Sequence, residues 1–225
     1  MAEALYYLSE SLAWAPTSAP RGELVLISDT VESSGAFLVH HFVALFLKAG
    51  HRVCFLSFAN SNAHYAAVGR KLGVNFASLE TANTLRVMDG FSTAASPPFT
   101  SLIDLFHAIA RFGKVSQQQE DKQQTPVSIV IDDLSALKWQ FGADKVLAFV
   151  RCCKTLTHTD NGRVNVVVLS HADTASSSLS SSPFTSRSLQ SSGLEGLRAP
   201  VAISYKILEN TIRCFRSGGD ALCSI

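Results

Sequence analysis

The sequence predicts an α/β domain, a mostly parallel central sheet with helices on both faces. Three observations carry that prediction. Short apolar runs alternate with helical periodicities from residue 22 to residue 170. Each run is nearly continuously apolar, as in strands buried on both faces. Charged or imidazole side chains follow three of the runs (Asp29, Asp132 with Asp133, and His171), at the edge where parallel sheets hold ligands.

The elements follow in order. Residues 1–20 read as an amphipathic extension closing in the linker Ala15-Pro-Thr-Ser-Ala-Pro20. Gly22-Glu-Leu-Val-Leu-Ile-Ser28 is the first strand. The helix over 34–49 stops at Gly50 and is apolar on nearly every side, so it lies in a core or under a partner. Arg52-Val-Cys-Phe-Leu-Ser-Phe58 is the second strand. A helix then starts near Asn60 or Ser61 and closes at Gly73, and a third strand spans 84–88. Ser101 and Asp104 form a capping pattern opening a helix over 101–112, with Leu102, Leu105, Phe106 and Ile109 on one face. After a polar loop over 116–126, the fourth strand, 127–131, ends in Asp132-Asp133. A helix over 143–157 and a fifth strand over 164–169 complete the sheet. Ten of the seventeen residues from Ser176 to Ser192 are serine, a flexible tract within a loop over 172–200. Strands over 201–207 and 211–215 pair as a hairpin around Glu209-Asn210. The main domain thus runs from 21 to 216, followed by a tail over 217–225.

Composition narrows the function classes. A chain of 225 residues suits one domain, or two small ones. With 47% hydrophobic residues and a mean hydropathy of +0.19 it builds a core rather than staying disordered. A net charge of +1 gives no whole-chain attraction to nucleic acid, so any RNA contact comes from a local patch or a partner. The five cysteines show no C-x-x-C spacing, and adjacent Cys152 and Cys153 make poor metal ligands, so reduced thiols and no metal are expected. No run of eighteen apolar residues calls for a membrane span. The acidic start, without early arginine, argues against a leader, and cytosol or nucleus is the expected compartment.

The turn between the first strand and the first helix is the place for a phosphate-binding loop, G-x-x-x-x-G-K-[ST]. It reads Asp29-Thr-Val-Glu-Ser-Ser-Gly35-Ala36-Phe37. With Gly35 as the second glycine, Ala36 stands in place of the lysine and Phe37 in place of the magnesium-binding hydroxyl. No lysine lies between Arg21 and Lys48. A charged hydrogen bond is worth about 1.5–3 kcal/mol, so losing the lysine costs roughly one to two decades of phosphate affinity. Asp29 and Glu32 add repulsion. The turn is either a degenerate nucleotide site or an ordinary polar connection.

Asp132 and Asp133 match the strand-end acids that hold Mg²⁺ or orient water, a weak signal because parallel strands often end in Asp. With no metal there, Asp132→Ala is expected to matter little. His40 and His41 diverge on a helix and cannot share a ligand, so a structural role is expected. His64 reads as a surface or interface residue. His171 could sense a ligand at the strand ends. Arg187 and Arg198, in and after the serine tract, are candidate contacts to an RNA backbone, or simply solvated linker residues. No Ser/His/Asp or Cys/His set can be placed, so no catalytic residue is expected.

Several blocks together resemble the Elongator complex protein 6 family: Ala36-Phe-Leu-Val-His-His-Phe42, Leu47-Lys-Ala-Gly50, Val53-Cys-Phe55, His64-Tyr65, Val68-Gly-Arg-Lys-Leu-Gly-Val74, Val130-Ile-Asp-Asp-Leu-Ser135 and Tyr205-Lys-Ile207. The resemblance covers residues 22–170 and returns at 201–216. It implies a RecA-like ATPase fold that has lost its ATP-binding loop and needs no cofactor. It also implies a hetero-hexameric ring with the fourth and fifth Elongator subunits, serving the remaining subunits. That ring binds tRNA and supports modification of the wobble uridine, the chemistry lying in another subunit. Between Leu169 and Val201 the family continues with further strands, whereas this chain is mostly serine and shorter. A shortened isoform, a divergent homologue or an imperfect gene model would each produce that difference. The alternative function is a free-standing RecA-like NTPase or recombination factor, which the missing lysine and hydroxyl oppose.

Overall fold

A computed structural model of the chain describes residues 14–30, 34–92, 99–114, 125–158, 162–171, 203–207 and 212–216. Its strands are β1 (Leu24–Asp29), β2 (Arg52–Ser57), β3 (Leu85–Asp89), β4 (Val127–Ile131), β5 (Val164–His171), β6 (Ile203–Ile207) and β7 (Ile212–Arg216). Its helices are α1 (Ala36–Lys48), α2 (Asn62–Lys71), α3 (Phe76–Thr81), α4 (Leu102–Lys114), α5 (Leu134–Phe141) and α6 (Ala143–His158). The first five strands form one all-parallel sheet in the order β1-β5-β4-β2-β3. The pair β6–β7 is antiparallel, as the hairpin reading expected.

The continuous apolar runs are explained by two separate cores. Val25, Val53, Phe55, Val130 and Val167 point to the face covered by α1, α2 and α3. Leu24, Cys54, Leu56, Ile129 and Val166 point to the face covered by α4, α5 and α6. Each strand's side chains alternate between two apolar layers, so neither set of positions can be polar without a partner. Among the described residues no helix is long and apolar enough to cross a membrane.

Two helices escape the sequence reading. Only Phe76 of α3 is buried, so six residues carry no periodic stripe. The helix α5 is separated from α6 by Gly142 alone, at φ +89°, a conformation side chains other than glycine rarely adopt. The segment read as a linker also packs on the domain. Pro16–Ser18 make a single 3-10 turn, Pro20 is buried, and the Trp14 ring lies 5.8 Å from that of Phe42. That contact is one reason α1 is buried continuously from His41 to Leu47.

Polar side chains within this core are mostly paired. At the amino ends of the strands, Ser128 Oγ lies 2.9 Å from His51 Nδ1 and accepts the Asn165 amide at 3.2 Å, and Asn165 Oδ1 accepts the Glu23 N–H. His41 differs: it is 3% exposed, and neither ring nitrogen has a hydrogen-bond partner. Burial lowers His40, His41 and His51 each to about 4, with His64, Lys48 and Arg21 respectively adding smaller like-charge effects.

These shifts set the sign of the acid response. The unfolded chain protonates these three histidines near pH 6.5, the folded one only near 4, so their contribution to stability is whole above 6.5 and falls on acidification from 6.5 toward 4. Burial raises Asp132 to about 6, which opposes this with one proton against three. Each histidine contributes at most about 1.4 kcal/mol per pH unit. The urea midpoint should therefore drop between pH 7 and pH 5, and His41→Phe should flatten part of the slope. An unchanged midpoint across that range would refute the assignment.

Candidate functional site

The carboxyl ends of β1, β4 and β5 meet at one edge of the sheet. The parallel register places Asp29 opposite His171 on adjacent strands. Asp29 is 6% exposed and uses both carboxylate oxygens: Oδ2 accepts the Gly35 N–H at 2.7 Å, and Oδ1 lies 2.5 Å from His171 Nδ1. The other ring nitrogen of His171 is 3.7 Å from Asp133 Oδ1. One imidazole thus sits between two carboxylates.

The bond to Gly35 decides what the turn can do. Gly35 is the N-cap of α1, where a helix offers unpaired N–H groups to an anion. Here the chain's own carboxylate takes that donor. Gly35 packs close against the strands: a Cβ there would lie 2.9 Å from Ile27 Cγ2 and 3.3 Å from Leu169 Cδ1, so a larger residue would force these side chains to shift. Ala36 is exposed and Phe37 half-buried at the positions aligned with lysine and hydroxyl. Glu32 lies outside the described residues, as do Arg187 and Arg198.

Asp132 requires a correction. It is 1% exposed and has no freedom to serve a ligand. Its oxygens accept the Phe58 N–H at 2.7 Å, the Ala59 N–H at 3.0 Å and the Tyr65 hydroxyl at 2.5 Å. The carboxylate clamps the connection between β2 and α2 to the end of β4. These contacts argue against the expectation that Asp132→Ala matters little. The acid acts as a structural acceptor whether or not a metal is near. Burial, and the charge and hydrogen bond of Asp132, raise the Tyr65 phenol above its ordinary range. Asp133 is the N-cap of α5, accepting the Ser135 N–H at 2.6 Å.

Lys138 was invisible to sequence reasoning because α5 itself was not anticipated. It is 9% exposed, and its ammonium donates to Ser170 Oγ at 3.0 Å. Burial lowers its pKa, with Asp133 opposing. Trp139, the next residue, is 86% exposed and was likewise unmarked. His40 and His41 diverge as the helical spacing requires. The His40 ring lies 5.1 Å from Tyr65 and 5.7 Å from the exposed His64, while His41 turns into the core. Among the described residues no group of three or more His, Cys, Asp or Glu side chains could hold a metal.

What this edge can do is limited. Its acids are committed to N–H groups, a hydroxyl and an imidazole, and its one buried ammonium to a hydroxyl. The arrangement stabilises a strand edge, and among the described residues it brings together no nucleophile paired with a base.

A family model described as elongation complex protein 6 matches residues 6–193. Elongator complex protein 6 from Homo sapiens is 31% identical over 182 residues, covering 73% of this chain and 67% of its own length. The Danio rerio protein of the same name is 29% identical over 181 residues, covering 72% and 66%. The Dictyostelium discoideum one is 34% identical over 95 residues, covering 34% and 28%. A crystal structure of an uncharacterized protein from Pyrococcus horikoshii, in complex with an unknown peptide, superposes with a TM-score of 0.65. It is 14% identical and covers 94% of this chain and 97% of that one, a likeness of fold alone. The architecture is the α/β type that the sequence predicts, a parallel sheet with helices on both faces.

Proposed function

We propose, from the premise that the chain belongs to the elongation complex protein 6 family, that it is a non-catalytic structural subunit of the Elongator complex. In this reading it takes its place in a hetero-hexameric ring with the fourth and fifth subunits. The ring holds tRNA while wobble-uridine chemistry proceeds on another subunit, in cytoplasm or nucleus. Arg187 and Arg198 are the side chains assigned to the RNA backbone.

The single observation that carries the non-catalytic part is the Asp29 carboxylate on the Gly35 N–H. A nucleotide would have to displace a buried carboxylate from the helix end and move His171 with it. It would then find alanine in place of the cation and phenylalanine in place of the magnesium ligand. No energy gained at the site offsets those losses.

ATP titration of the isolated full chain tests this. We expect no Mg²⁺-dependent binding up to about 1 mM, the affinity range of only about 4 kcal/mol. Micromolar, Mg²⁺-dependent binding would favour the free-standing NTPase instead. Ring membership is tested separately by co-expression with the two sister subunits and native mass measurement. A chain that stays monomeric beside both would refute it.

A further inference from the structure

The geometry points to the groove between α4 and α6 as a docking surface for an acidic amphipathic helix of a partner protein. The groove holds about 510 Å³ and is floored by Leu102, Phe106, Phe141, Ala148 and Phe149. Ile103 forms its lip and is 68% exposed, a large apolar side chain left in water on a helix whose other apolar residues are buried or half-buried.

Two observations select the occupant. The first is the lack of free polar groups on the floor. Thr100 and Ser101 line the groove, but both hydroxyls donate to Asp104, at 2.9 and 2.8 Å, closing the first turn of α4. Among the described lining residues that leaves Lys145 and the Cys152 thiol, too few convergent groups to hold a small polar ligand, whereas an apolar helix face needs none. The second is charge. The acids nearby, Asp104 and Asp144, lie in the first turns of α4 and α6. Cations stand on the same rims, Lys145 beside Asp144 in the first turn of α6 and two arginines further along the helices. Lys145 lines the groove, Arg151 stands exposed one turn beyond Ala148, and Arg111 stands two turns beyond Ile103 on the exposed edge. Among the described residues Lys145 and Arg151 have no ion-pair partner. A helix presenting leucines at i, i+3, i+4 and i+7 with glutamates beside them matches both features, since opposite charges on rim and flank favour encounter and orientation.

The surface lies on α4 and α6, away from the Asp29 turn, so it stands or falls independently of nucleotide binding. The probes are two labelled eighteen-residue helices with the same leucine pattern, one flanked by glutamate and one by lysine. Each is titrated against the full chain by fluorescence anisotropy. The acidic helix is expected to bind at least tenfold more tightly than the basic one. Ile103→Asp, an exposed position that leaves folding intact, should weaken it at least tenfold. K145E/R151E should invert the preference between the two. Equal binding of both helices, no binding of the acidic one, or binding unaffected by Ile103→Asp would overturn the inference. So would a concentration-dependent dimer of the chain abolished by Ile103→Asp, which would make a second copy the occupant.

Discussion

Phe42→Asp is expected to abolish the folded state. Phe42 is 1% exposed and packs between the rings of Trp14 and Phe46, at 5.8 and 6.0 Å, on the α1 face of the sheet. Removing the ring forfeits about 3–5 kcal/mol of burial and leaves a cavity. The carboxylate adds several kcal/mol more, because it is buried in an apolar cluster where the neighbouring polar group is the His41 ring, 5.6 Å from that of Phe42 and itself held neutral by burial. Together these approach the roughly 5–15 kcal/mol that holds a domain folded. Circular dichroism should show no cooperative melt for Phe42→Asp. Phe42→Leu should lose only about 1–2 kcal/mol, since it keeps an apolar filling of nearly the same volume. A Phe42→Asp protein melting within a few degrees of wild type would contradict the packing described here.

Asp132→Ala is the second large effect. Truncation strands the Phe58 and Ala59 N–H groups and the Tyr65 hydroxyl beneath the end of the sheet. A buried donor left unmet costs about 1–3 kcal/mol, so the loss should reach about 3–5 kcal/mol after partial relaxation. Asp132→Asn keeps one acceptor oxygen and should lose roughly half as much. Urea unfolding measures both, and hydrogen exchange at Phe58 and Ala59 localises the damage. If alanine costs under about 1 kcal/mol, the clamp is not what holds this turn.

The difference between the two sites lies in what sequence patterns encode. A strand ending in two acids is the same string whether the acid holds a metal, orients water or ties down a loop. The partners of Asp132 come from residues 73 and 74 positions away in β2's exit loop and 67 away in α2, and no local spacing reports such distances. The Asp29 contact is intermediate. Its repulsion toward a polyanion could be read from charge alone, but its occupation of the Gly35 N–H required the register that sets β1 beside β5. Ser128 and Asn165 sit inside runs read as simply apolar. They are tolerated because the strand order brings them together beside His51, and a one-residue slip would bury them unpaired. The α4–α6 groove joins residues some forty positions apart, so the separate stripes were visible and the surface they make was not.

Alternation of apolar runs with helical periods by itself determined the layered parallel architecture, because a strand apolar on both sides can be satisfied only between two helical layers. The sequence alone likewise shows that no lysine lies between Arg21 and Lys48 to serve the first turn. Tertiary structure decided the rest: which acid faces a donor, which imidazole stands unpartnered, and which ammonium is buried. Those are properties of distances between strands and helices far apart in the chain, and charge, hydrogen bonding and desolvation act over a few ångströms rather than over sequence separation.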